Sequence, residues 1–133
     1  MLLTFQNFLD KRNIPASFVD DQRTIIRFTI NNIHYLFSYN YSEDPAFVKI
    51  IVPNAGSVDL NNPGDVRMLY NLTTSYKVGK AFAVDSQVWF SAEAFLYTKE
   101  GADSLFLRLI QVLQDMLNQY RLTHNDNESN SQQ

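Results

Sequence analysis

The chain has 133 residues, 45% of them hydrophobic and 14% aromatic, which fits one folded domain with a real core and excludes a disordered polymer. Its formal net charge of −3 gives no global attraction to nucleic acid or to an anionic membrane surface. The absence of cysteine excludes disulfides, thiolate metal sites and a cysteine nucleophile, and it suits a reducing compartment.

The N-terminal MLLTFQNFLDKR lacks the basic start, long apolar run and small-residue cleavage site of a signal peptide. No apolar run approaches the roughly 18 residues needed to span a bilayer. The expectation is a soluble, cytoplasmic protein.

In chain order, Leu2, Phe5, Phe8 and Leu9 recur at helical spacing, with Gln6, Asp10 and Lys11 on the other side. Asn13-Ile14-Pro15 ends that helix, because proline and the residue before it disfavour the α conformation. Period two takes over at Ala16, giving a short strand over 16–20, a turn over 20–23 and a second strand over 24–30. Asn31-Asn32 then reads as a tight hairpin turn, since asparagine tolerates positive φ. This predicts Ile30 opposite Ile33, Phe28 opposite Tyr35 and Ile26 opposite Phe37, one apolar face. The other face then holds Ile25, Arg27, Thr29, His34, Leu36 and Ser38.

A polar connection over 40–46 leads to a strand over 47–52. Val48, Ile50 and Val52 form one of its faces, and Phe47, Lys49 and Ile51 the other. Both are partly apolar, which predicts a central strand or one covered on both sides. After a loop over 53–62, Asn62 is positioned to cap a second helix, with Pro63 in the first turn and Asp65 complementing the helix dipole. Val66, Leu69, Tyr70 and Thr73 lie on one side of that helix. Gly79 helps the chain leave the following turn, and a strand over 80–84 meets one over 88–95. Read with a three-residue loop at Asp85-Ser86-Gln87, this hairpin pairs Val84 with Val88 and Phe82 with Phe90, and turns Trp89, Ser91 and Glu93 the other way. A closing helix over about 104–122 carries a stripe of Leu105, Leu109, Val112, Leu113, Met116 and Tyr120 that Phe106, Ile110 and Leu117 widen, and the polar tail at 123–133 has nothing to bury and is expected to be disordered. The whole reads as one α+β domain over 1–122, an antiparallel sheet of five to six strands packed with three helices, in the order α-β-β-β-β-α-β-β-α.

Catalytic signatures are few. The two histidines, His34 and His124, belong to no spaced ligand set, so no metal is expected. The four glycines are scattered, without a phosphate-cradling loop. Glu43-Asp44 and Asp20-Asp21 read as solvated turn carboxylates. No nucleophile-elbow sequence accompanies His34. Lys80 and Glu93, on neighbouring strands, form either a surface ion pair or a proton-transfer pair beside a small-ligand pocket. Arg27, Lys49 and Lys80 around Trp89 make the best available nucleic-acid surface, weak in an acidic chain. No cofactor is implied.

The second sheet face stands out instead, with Leu36, Phe47, Ile51 and Trp89 beside Lys49 and Glu93. An apolar centre with charged neighbours is what a protein-binding surface looks like, for another protein or for a second copy of the chain. A helix or loop of the same chain covering it is the alternative.

The stretch LYNLTTSYKVGKAFAVDSQVWFSAEAF, together with the element order, resembles the YbjN-type family, described as proposed bacterial sensory-transduction regulators, within the secretion-chaperone-like α+β fold. Asn71 matches the first asparagine of that family's Asn-x-x-Asn element and Lys80 its strand lysine, whereas Thr74 stands at the second asparagine position. The resemblance implies a non-enzymatic protein, often dimeric, that binds a polypeptide or acts in regulation.

Overall fold

The computed structural model describes residues 1–40 and 45–131, with side chains described as far as Thr123. Helix α1 (Leu2–Lys11) is followed by strands β1 (Ala16–Phe18), β2 (Ile26–Ile30), β3 (Ile33–Asn40) and β4 (Ala46–Val52). Then come helix α2 (Pro63–Ser75), strands β5 (Gly79–Val84) and β6 (Gln87–Leu96), a 3₁₀ turn at Lys99–Gly101 and helix α3 (Ala102–Ser131). The six strands form one antiparallel sheet in the order β1-β2-β3-β4-β6-β5. The α+β element order is the one expected. Helix α3 runs on past Leu122, where the sequence reading ended it; the expected disordered tail, with His124, and the Glu43-Asp44 pair lie outside the residues whose side chains are described.

Two tight turns fix much of the register. Asn31 and Asn32 take φ of 52° and 64°, left-handed values that match the strand twist in a two-residue hairpin loop. The expected β2–β3 pairs follow: Ile30 with Ile33, Phe28 with Tyr35, Ile26 with Phe37. The β5–β6 hairpin differs from its prediction by one residue. Asp85 and Ser86, with φ of 48° and 64°, are a two-residue loop of the same kind, so Val84 pairs with Gln87 and Phe82 with Trp89. Because side chains alternate with period two, that slip moves Phe82 and Val84 from the core face to the face of Trp89.

Aromatic rings knit α1 to the sheet. Phe5 stacks on Phe37 with centroids 3.8 Å apart and meets Phe28 and Phe106 edge-on at 5.3 and 4.9 Å. On α3, Phe106, Leu109, Ile110, Leu113, Met116, Leu117 and Tyr120 are all buried, so the broad stripe is spent on the sheet and the other helices. Helix α2 starts as expected, with Asn62 Oδ1 accepting from the Gly64 N–H at 2.8 Å. Its buried residues are Leu69 and Leu72, whereas Val66 and Tyr70 of the expected stripe are exposed, because the helix docks at the sheet's edge and buries only a narrow strip. Asp20 is more than a solvated carboxylate. It accepts from the N–H groups of Thr24 (2.9 Å) and Ile25 (3.1 Å) and from the Thr24 hydroxyl. The Thr24 hydroxyl above all, helped by those backbone donors, holds its carboxyl below the usual aspartate range.

Candidate protein-binding face

All three helices pack on one side of the sheet. Phe28, Phe37, Val48, Ile50, Phe90 and Ala92 point toward them and are fully buried. Gly79 and Ala81 of β5 share that side, the first under Met116 of α3 and the second against Thr73 of α2. By period two, the intervening residues point away from every helix. They form an open face whose side chains shield one another in part, with Ser91 at its centre fully buried.

The register sets these residues in rows across the strands. One row runs Arg27, Leu36, Ile51, Ser91, Lys80. The next runs Ser38, Lys49, Glu93, and the one beyond it Asn40, Phe47, Phe95. On the opposite flank Phe82 pairs with Trp89, their rings 6.4 Å apart. Phe47 and Phe95 form a second aromatic pair at 5.1 Å, with Phe95 47% exposed. The six residues read from the sequence as a partner-binding set, Leu36, Phe47, Lys49, Ile51, Trp89 and Glu93, thus lie together on this face. Phe82, Val84 and Phe95 join them. The first two were missed because the hairpin loop is one residue shorter than expected.

Glu93 is the centre of a charged cluster. Lys49 Nζ lies 3.8 Å from its Oε1 and Lys80 Nζ 3.4 Å from its Oε2, while the Ser91 hydroxyl donates to Oε1 at 3.3 Å. The Glu93 side chain is 16% exposed, against 39% for Lys49 and 59% for Lys80. The Lys80–Glu93 contact is therefore an ion pair open to solvent on its lysine side. An open groove of about 410 Å³ is lined by both members of the pair, Lys80 and Glu93, together with Phe47, Tyr76 and Val78 among others. Trp89 is held in place by its indole N–H, which donates to Asn54 Oδ1 at 3.1 Å.

The two family-motif positions are apart. Lys80 belongs to the open face, whereas Asn71 is exposed on α2 and lines a groove of about 350 Å³ between α2 and α3 with Met68, Tyr76 and Gln119. Thr74, at the second asparagine position, is bonded within its own helix turn, its hydroxyl donating to the Tyr70 and Asn71 carbonyls at 3.0 and 3.2 Å. His34 shares a 2.9 Å hydrogen bond with the Thr29 hydroxyl across the β2–β3 pair. Among the described residues no three His, Cys, Asp or Glu side chains gather where they could hold a metal ion. No helix of the described residues is long and apolar enough to cross a membrane.

An antiparallel sheet helical on one side and, among the described residues, bare on the other places the protein in a definite α+β class. No protein-family model matches the chain, and no curated protein sequence matches it. Among solved structures it is similar to YbjN from E. coli, described as a proposed transcription regulator, with a TM-score of 0.62 over 93% of each chain at 12% identity. The fold is that of YbjN, as the sequence resemblance implied.

Proposed function

We propose that this protein is a non-enzymatic interaction module, regulatory or chaperone-like, acting in the cytoplasm by binding a polypeptide on the open face of its sheet. The partner is another protein or a second copy of the chain. The observation that carries the reading is the bare face itself: Leu36, Ile51, Phe82 and Trp89 lie on one side of the Lys49–Glu93 row and Phe47 and Phe95 on the other, with no helix of the described residues over them. Apolar side chains gathered on an uncovered sheet face around a charged centre are the composition of a binding surface. Face binding is favoured over strand addition at β5, because the Thr73 hydroxyl already occupies the outward N–H and C=O of Ala81, at 2.9 and 3.2 Å.

The test begins with solution mass by light scattering over a dilution series, then association of Leu36→Asp and Trp89→Asp. Both variants should keep the far-UV CD spectrum and cooperative urea transition of the parent while losing association. If both unfold instead, the face is core, and the reading is wrong.

A further inference from the structure

We infer that the segment bound on the open face is acidic as well as apolar, its carboxylate seated over the Lys49–Glu93–Lys80 cluster. This rests on the face-binding reading above and specifies the partner's chemistry. The strand residues of the face include three permanent cations, Arg27, Lys49 and Lys80, against the single carboxylate of Glu93. Glu93 divides its two oxygens between two ammonium groups, so neither lysine has a carboxylate to itself. Arg27, opposite Leu36, has no carboxylate within ion-pair distance among the described residues. The excess is local, since the chain as a whole carries −3.

An apolar partner without charge would cover these cations and leave them short of a counter-charge, which is unfavourable. A second copy laid face to face would bring two cation-rich surfaces together with one carboxylate each. A carboxylate from a different segment completes the cluster, adding a second counter-charge to the one that the two lysines share in Glu93. The layout sets the pattern. Along β6, Trp89 and Phe95 lie on either side of Glu93, about 20 Å apart at the usual strand rise. An extended segment with apolar residues at both ends and Asp or Glu between them matches that spacing.

The experiment is selection of a random peptide display library on the intact chain, with individual peptides then measured by fluorescence polarisation. Enriched peptides should carry apolar residues flanking a carboxylate and should lose affinity in Leu36→Asp and Trp89→Asp. Their affinity should fall about tenfold in Lys49→Glu/Lys80→Glu, drop with rising salt, and fall to a smaller extent in Lys49→Gln/Lys80→Gln, which adds no like charge beside Glu93. A peptide with its carboxylates exchanged for lysine should recover binding to the Lys→Glu variant. Enriched peptides that lack carboxylates, or that bind the lysine variants as tightly as the parent, would overturn the acidic-partner inference while their dependence on Trp89 upheld the face. A dimer that Trp89→Asp dissociates would also overturn it, by showing the face filled with a second copy. No enrichment, or peptides indifferent to both Leu36→Asp and Trp89→Asp, would overturn the face-binding reading as well.

Discussion

Two glycines show how single positions set the packing. Neither has positive φ, so neither is there for backbone freedom. A Cβ at Gly79 would meet Met116 Sδ and come within 3.1 Å of Val112 Cγ1, so the strand approaches α3 as closely as a backbone can. At Gly56 a Cβ would strike the Tyr120 hydroxyl and lie 3.0 Å from Cζ. The two neighbours differ in how they can yield. Met116 is unbranched and can change rotamer, whereas the Tyr120 ring is rigid, buried and edge-on to Phe90 at 5.6 Å. Gly56 cannot move away easily, because its carbonyl accepts from the Val88 N–H at 2.7 Å and Ala55 N–H donates to the Val88 carbonyl at 2.8 Å. Gly79→Ala should lower stability by about 1 kcal/mol and Gly56→Ala by about 2–3 kcal/mol, measured as urea unfolding free energies. The reverse order would mean the loop gives way more readily than the methionine. Local sequence places Gly79 at a turn exit and Gly56 in a loop. The true reasons sit on α3, far along the chain, and no local pattern carries them.

At the scale of elements, what was legible was what local chemistry decides. Asn31-Asn32 announced a two-residue hairpin, Asn62-Pro63 a helix start and Asn13-Ile14-Pro15 a helix stop, and each stands where it was expected. Asp85-Ser86 makes the same kind of turn without the Asn or Gly that advertises one, so the sequence alone points to a register one residue away, with Phe82 on the core face. The candidate face survived that slip because most of its residues come from β3, β4 and β6, whose alternation is unambiguous. The protection of the β5 edge was not legible at all. One hydroxyl, that of Thr73, donates to the Ala81 carbonyl and accepts from its N–H, standing in for a neighbouring strand. Thr73→Val keeps the shape and removes both bonds. It should lower stability by about 1 kcal/mol, speed hydrogen exchange at the Ala81 amide, and make the variant more prone to concentration-dependent association through the bared edge. Unchanged protection of that amide would mean another group guards the edge.

The whole molecule is two layers with unequal faces, and β4 displays the difference in adjacent residues. Ile50 points into the helical layer and is fully buried; Ile51 points to the open face, between Leu36 and Ser91, and is half-buried. The two share a residue type, a strand and nearly a position, so truncation compares the faces with little else changed. Ile50→Ala leaves a cavity among Phe37, Ala92 and the helices and should lower stability by about 2–5 kcal/mol. Ile51→Ala removes atoms that solvent already partly reaches, opens no closed cavity, and should lower it by about 1 kcal/mol or less. Urea unfolding at several protein concentrations checks this. A larger Ile51 effect that grows with concentration would report a second copy on the face, because association adds stability by mass action. A large effect independent of concentration would mean the face is core after all. A small effect at every concentration is what a free binding surface requires: apolar residues whose removal the fold tolerates and whose loss a partner would feel.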